Sequence, residues 1–168
     1  LDGACPIEAL AEKAKHYRMP ALAITDHGTL YGAIEFYEAM QKAGVKPIIG
    51  CECYLLTEGS RHTRDLKSTG FLSHLTILVK NRIGWRNLCR LVTSSHVEGF
   101  YYKPRIDKEI LREHSEGLVA LSGCQRGAVP AFFARILLRP LQNGLVQFYA
   151  LGTMLCLAVL MLALWLRG

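Results

Sequence analysis

Short apolar runs alternate with amphipathic segments along most of the chain. Apolar side chains that recur at helical spacing predict helices at residues 6–17, 31–43 and 84–96, and Gly44 is placed to cap the second of them. Apolar runs bounded by polar or glycine residues predict strands at residues 21–26, 46–56, 74–80 and 117–124. This alternation predicts a parallel sheet of the α/β class, either open or closed into a barrel.

The end of the chain has a different pattern. Nineteen of the 22 residues in 145–166 are apolar, and none of them is charged. A helix of that length spans about 33 Å, enough to cross a hydrocarbon core of about 30 Å. The pattern predicts a transmembrane helix at 145–166, preceded by a linker at 134–144 and a folded domain at 1–133. The alternative is a buried helix of a larger soluble protein, although such helices usually carry a polar stripe.

The composition also indicates that the chain has two different parts. The net charge is +6 and 51% of the residues are hydrophobic, which excludes a disordered or collagen-like chain. All 14 acidic residues lie between Asp2 and Glu116, where 16 basic residues nearly balance them, so most of the excess charge belongs to the tail. Cys51 and Cys53 form a C-x-C pair that would lie on one face of a strand, and a chain of this length does not need a disulfide framework. We expect a reduced, cytoplasmic setting for residues 1–133. Because the sequence begins with Leu rather than Met, we also expect the chain to be a fragment.

Several residues with metal-binding side chains follow the predicted strands. Asp26 and His27 end the first apolar run. Glu52 lies late in the second run and Cys124 ends the fourth. Taken singly, each is better explained as a structural or solvated residue, but the working surface of α/β folds lies at the carboxyl ends of the strands. Their joint placement favours a site for zinc, manganese or iron, whereas His74 does not fit because it opens its predicted strand.

Basic residues give weaker signals. Lys103 and Arg105 lie among aromatic residues in 99–107, a pattern that suits stacking and phosphate contact with a single nucleic-acid strand, although packing explains the tyrosines equally well. A basic loop could also touch phosphate, but a solvated loop is favoured; its residues are Arg61, His62, Arg64 and Lys67. The other histidines are interpreted as surface or structural residues, and these are His16, His96 and His114.

Longer motifs give a more specific signal. Residues 1–132 contain, in order, LDGAC, MPALAITDHGTLYGAIEFYEAMQKAGVKPIIGCECYL, HLTILVKNRIGWRNLCRLV, EGFYYKPRID and EGLVALSGCQRGAVP. In these motifs the chain resembles the N-terminal PHP (polymerase and histidinol phosphatase) domain of the bacterial DNA polymerase III alpha subunit. The resemblance implies a distorted (β/α)7 barrel, only part of which is present, with a metal cluster at its carboxyl rim. It also implies a divalent metal cofactor (zinc, manganese, iron or magnesium), a phosphoesterase or 3′ to 5′ exonuclease type of site, and single-stranded DNA 3′ ends and polymerase subunits as partners.

The resemblance also assigns individual residues. Five positions of this sequence match metal ligands of the family, and they are Asp2, His27, Glu52, His74 and Cys124. His74 is thus assigned as a ligand in spite of its misplaced strand boundary. Asp26 matches the acid next to the motif histidine and would orient that histidine rather than bind metal.

Two departures from the family pattern bear on activity. The family has a His-x-His motif and a late Asp-x-His pair, and neither is found in these 168 residues. We therefore expect an incomplete site with little or no exonuclease activity, since metal-assisted hydrolysis needs a filled ligand shell with open positions. The alternatives are a catalytically silent scaffold domain and a membrane-tethered phosphoesterase. The tail also resembles the last helix of the NADH dehydrogenase chain 5 family, which suggests a chimeric or frame-shifted gene.

Overall fold

The structure is a computed structural model that describes residues 5–65, 72–122 and 127. The described helices are α1 (Ile7–His16), α2 (Ala33–Ala43), α3 (Arg82–Val97) and α4 (Lys108–Glu113). The described strands are β1 (Ala21–His27), β2 (Lys46–Leu56), β3 (Leu72–Val79), β4 (Arg105–Ile106) and β5 (Leu118–Leu121). β2 has the predicted bounds, and β3 starts two residues earlier than predicted. The short elements β4 and α4 were not predicted, because two and six residues carry too little periodicity.

The described strands form one mixed sheet. Its order is β1, β2, β3, β5, with β4 paired to β2 beyond the residues that pair with β1. β1 and β4 run parallel to β2, whereas the β2–β3 and β3–β5 pairs are antiparallel. The α/β class is confirmed, but the prediction of a parallel sheet is wrong for these pairs. The described part of the β2–β3 connection, residues 57–65, contains no helix, and a parallel pair needs a long crossover that usually includes one.

The packing of helices on the sheet fixes which strand residues are left for a site. Alternate residues of β2 and β3 contact α3 and α4 in one apolar cluster, formed by Cys51, Cys53, Leu55, Leu75, Ile77, Leu88, Leu91, Ile106 and Ile110. A second cluster joins α1 and α2 to β1 around Phe36 and Met40, which are 1% and 0% exposed. Because successive strand side chains alternate, Glu52 and His74 lie on the opposite face of the sheet, called the site face below.

The C-x-C pair is part of the core. Cys51 and Cys53 are both buried on the α3 side of β2, as the strand alternation predicts. A hydrogen bond with Cys51, together with burial and the neighbouring charges, raises the pKa of the Cys53 thiol well above its ordinary value. A thiol in this setting stays protonated, whereas a metal ligand must be a thiolate.

The ends of the helices follow ordinary capping chemistry. Gly44 ends α2 in a left-handed conformation, which confirms the predicted cap. Asn81 caps α3 by accepting a hydrogen bond from the Gly84 amide at 3.0 Å. Asp107 caps α4 by accepting one from the Ile110 amide at 3.1 Å. Each of these two helices thus begins at a side chain that satisfies a backbone amide of its first turn.

The predicted linker and transmembrane helix, residues 134–144 and 145–166, lie outside the described residues and stay predictions, as does the domain boundary at 133. Within residues 5–65, 72–122 and 127, no helix combines the length and the apolar character needed to cross a membrane.

Candidate metal centre

Strand register brings three of the predicted ligands to one rim of the sheet. His27, the last residue of β1, is directly opposite Glu52 of β2. His74 is opposite Tyr54, two residues further along β2 than Glu52. Because β3 runs antiparallel to β2, it begins at the rim where β1 ends. The antiparallel direction of β3 therefore explains why a residue near the start of a strand can join the predicted group.

Glu52 contacts both imidazoles. Its Oε1 lies 2.6 Å from Nδ1 of His74, and its Oε2 lies 3.6 Å from Nδ1 of His27. The Glu52 and His74 side chains are 18% and 21% exposed, and the His27 side chain is 47% exposed. The carboxylate thus uses one oxygen for each histidine, and His27 is the most exposed of the three side chains.

The chemistry of these side chains fits a divalent transition metal. Two imidazoles and a carboxylate are donors that zinc, manganese and iron accept. The short contact pairs Nδ1 of His74 with a carboxylate oxygen of Glu52, as in the carboxylate–histidine pairs found beside metals. However, no group of three or more His, Cys, Asp or Glu side chains in the described part of the chain is already arranged around a common metal position.

The other assigned positions are placed as follows. Asp26 is next to His27 on β1 and therefore lies on the opposite face, where its Oδ2 accepts a hydrogen bond from the amide of Gly32 at 2.9 Å. Gly32 is the N-cap residue directly before α2, so this contact ties β1 to the helix that follows it. Asp2 and Cys124 lie outside the described residues.

Two residues at the rim were not assigned to the site from the sequence. The Tyr54 ring meets the His74 ring edge to face, with the centroids 5.3 Å apart. His96, at the end of α3, places Nε2 at 2.9 Å from the carbonyl oxygen of Gly28, the residue after His27. Strand alternation could have indicated Tyr54, since it lies two residues after Glu52, but no local pattern links His96 to Gly28.

The two arginines singled out in the sequence have structural roles. Arg105 is 3% exposed, and its guanidinium donates to the carbonyl oxygens of Gly99, Arg61 and Thr63. Arg61 pairs with Asp107 at 3.1 Å and with Glu98 at 2.8 Å. Burial and these backbone contacts disfavour the predicted contact of Arg105 with nucleic acid, which stays a prediction.

Lys103, the other predicted nucleic-acid contact, differs from Arg105. It is exposed, and its Nζ lies 5.2 Å from the centre of the Tyr54 ring. The backbone therefore buries Arg105 and leaves Lys103, two residues away, in solvent beside the rim.

The described part of the chain is an α/β domain with a mixed sheet and a group of imidazole and carboxylate side chains at one rim. The chain belongs to the PHP domain family, whose pattern matches residues 1–149. It is 45% identical over 129 residues to the DNA polymerase III subunit alpha of Chlamydia trachomatis, covering 77% of this chain and 10% of the relative. It is 49% identical over 135 residues to that of Thermus aquaticus, covering 79% of this chain and 11% of the relative.

The matched segment is a small part of these relatives. With the corresponding subunit of Aquifex aeolicus the identity is 45% over 142 residues, which covers 81% of this chain and 12% of the relative. The chain thus spans about a tenth of the length of the curated relatives it matches. The family match extends past residue 133, through the predicted linker at 134–144 and into the first five residues of the predicted transmembrane helix. These comparisons give no support to the predicted resemblance of the tail to NADH dehydrogenase chain 5.

Proposed function

We propose that this chain is part of the PHP domain of a replicative DNA polymerase alpha subunit and carries a phosphoesterase-type metal site that is incomplete within these residues. The observation that carries the proposal is the contact of one carboxylate, Glu52, with His27 from β1 and His74 from β3. Its partners would be DNA and other polymerase subunits, as expected from similarity to DNA polymerase III alpha subunits.

Each residue of the group has a distinct part in this proposal. Glu52 and His74 hold each other in position and would bind the metal together with His27, while Asp2 and Cys124 are further candidate ligands. A bound divalent metal would polarise a phosphate ester and lower the pKa of a coordinated water. The protein side chains fix the orientation of the donors, and Tyr54 packs against the edge of the site.

The first prediction concerns metal binding. We expect the purified 168-residue chain to bind Mn²⁺ or Zn²⁺. We expect Glu52→Gln and His74→Ala each to weaken metal binding by about tenfold or more, because each residue is a candidate metal donor and also orients the other. Equilibrium dialysis with elemental analysis measures this. Glu12→Gln and His16→Ala are matched controls, since both residues are exposed on α1, and they should leave affinity unchanged.

Circular dichroism and urea midpoints of all four variants distinguish loss of the site from loss of the fold. Absence of bound metal in a folded wild-type chain, or equal loss in the α1 controls, would contradict the proposal.

The second test concerns hydrolysis. A complete site needs its full set of protein ligands and one metal position left open for water. The 168 residues contain neither the His-x-His nor the Asp-x-His motif of the family. We expect the chain to release almost no terminal nucleotide from a 3′-labelled single-stranded oligonucleotide in Mn²⁺ or Zn²⁺. Robust release that a chelator stops and that Glu52→Gln abolishes would show that these residues suffice for activity.

A catalytically silent scaffold domain is the second candidate. It is favoured by the 2.6 Å contact between Glu52 and His74, which can stabilise the fold without a metal. Under this hypothesis, Glu52 and His74 form a structural ion pair. A folded chain without bound metal, whose stability falls in Glu52→Gln, would support the scaffold over the metal site.

A further inference from the structure

The Tyr101–Lys103 turn lies at the rim of the candidate metal centre. Lys103 Nζ is 5.2 Å from the centre of the Tyr54 ring, and the same ring meets the His74 ring edge to face. Pro104, the next residue, packs against Gly28, where an added Cβ would come within 2.6 Å of Pro104 Cγ. One aromatic ring thus separates the Lys103 ammonium group from His74, and direct packing joins the turn to the loop after β1.

The turn is held in one conformation. The Tyr101 amide donates to the Lys103 carbonyl oxygen at 3.1 Å, and Tyr102 between them has a φ of 58°. A bulky residue adopts this left-handed conformation only when its surroundings hold it there. The buried Arg105 guanidinium supports the turn, 5.2 Å from the centre of the Tyr101 ring. Lys103 and Tyr102 are therefore presented at fixed positions rather than on a free loop.

Two side chains of the turn face solvent. Tyr102 is 76% exposed, and Lys103 is exposed. In the part of the chain that the structure describes, no carboxylate forms an ion pair with Lys103, whereas Arg61 has Asp107 and Glu98 as partners. An exposed lysine that has no ion-pair partner among the described residues, beside a group of metal-type ligands, suits an anionic ligand.

We propose that the Tyr101–Lys103 turn binds a single DNA strand that leads into the candidate metal centre, with Lys103 contacting a backbone phosphate and Tyr102 stacking on a base. The inference rests on the proposed function, because it takes the substrate to be a DNA strand. Single-strand binding sites commonly combine a basic group that follows the backbone with aromatic rings that accept any base. A lysine held over a tyrosine at the rim and an exposed aromatic neighbour are that combination.

Salt dependence of binding tests the phosphate contact. Fluorescence anisotropy with a labelled single-stranded oligonucleotide gives the dissociation constant of the 168-residue chain at several salt concentrations. Loss of one phosphate contact lowers the slope of log affinity against log salt by about 0.7 for single strands. We expect Lys103→Gln to show this lower slope and to bind dT and dA oligonucleotides more weakly to the same extent. Lys103→Arg should keep the wild-type slope, because it keeps the positive charge.

Two further variants make the test specific. Lys46→Gln is the matched control, because Lys46 is exposed at the start of β2, at the opposite end of the strand from the site. It should keep the wild-type slope. Tyr102→Leu should weaken binding about fivefold or more without changing the slope, since stacking releases no counterions. Urea midpoints of all variants verify that each is folded.

The outcomes separate this inference from the proposed function. An unchanged slope in folded Lys103→Gln, or an equal decrease in Lys46→Gln, would overturn the inference even if the chain binds metal through Glu52. A decrease specific to Lys103→Gln supports the inference even if metal binding fails. Displacement of the oligonucleotide by inorganic phosphate alone would indicate a phosphate-ion site and would overturn the assignment of a strand.

Discussion

At the scale of single residues, Gly28 joins the parts of the candidate site through its backbone. Its amide donates to the Glu52 carbonyl oxygen at 2.9 Å, and its own carbonyl oxygen lies 2.9 Å from His96 Nε2. Its φ is 66°, and a Cβ at this position would come within 2.6 Å of Pro104 Cγ. Both the conformation and the contact with Pro104 therefore require glycine after His27.

Alanine substitution separates these two requirements. Gly28→Ala should lower the free energy of unfolding by about 2–4 kcal/mol, from the left-handed backbone together with overpacking against Pro104. Gly44→Ala is the control, since Gly44 has a φ of 73° but nothing within 4 Å of an added Cβ, so only the backbone cost of about 1 kcal/mol applies. Urea denaturation measures both. Equal losses in the two variants would mean that Pro104 gives way and that the close packing is unimportant.

At the scale of elements, β3 shows how far the sequence could predict the site. Its apolar run was predicted, and the family motif assigned His74, but the direction of the strand was not. The connection at 57–71 is polar, with no helical periodicity, and this pattern could have indicated an antiparallel return. Reading the β3 direction from that loop would have placed His74 at the rim without a family motif.

The roles of several charged residues depend on contacts with residues that are far away in the sequence. Arg61 and Asp107 are 46 residues apart, and their pairing decides that Arg61 belongs to the fold rather than to a phosphate site. Lys103 and Arg105 have similar chemistry in the sequence, and only the tertiary packing buries one and exposes the other. Local periodicity carries no information about either choice.

Helix α3 supplies much of the apolar support beneath the site face. Leu88 is 0% exposed and contacts the core residues of β2 and β3, whereas Ile83 on the same helix is 47% exposed. Leu88→Ala should lower the free energy of unfolding by about 2–5 kcal/mol, because it removes buried methyl groups and leaves a cavity. Ile83→Ala should change it by less than about 0.5–1 kcal/mol. Urea denaturation that gave similar losses for both variants would contradict the packing of α3 on the sheet.

At the scale of the whole molecule, one charged network fastens the β2–β3 connection to the start of α4. The Arg61 amide and guanidinium both donate to Asp107, at 2.9 and 3.1 Å, while Asp107 also caps α4. Burial works against the charge of Asp107, but hydrogen bonds from the Arg61 and Ile110 amides and the Arg61 charge outweigh it, so the pKa of Asp107 is lowered. A hydrogen bond from Arg61 is the main cause that lowers the pKa of Glu98.

This network predicts how the stability of the whole molecule depends on pH. A carboxyl group with a lowered pKa in the folded state stabilises it fully above the unfolded pKa, near 3.8 for Asp107, and loses that contribution as pH falls through the folded pKa. Asp107→Asn should therefore cost about 1.5–3 kcal/mol at neutral pH and much less near pH 2, since the variant has no charge to lose. Urea denaturation at several pH values measures the difference.

Glu109→Gln is the matched control, because Glu109 is 73% exposed and lies 3.8 Å from Arg61. This variant should have little effect on stability at any pH. A loss in Asp107→Asn that is equally large at both pH values would show that the charge of Asp107 is not the source of the stabilisation.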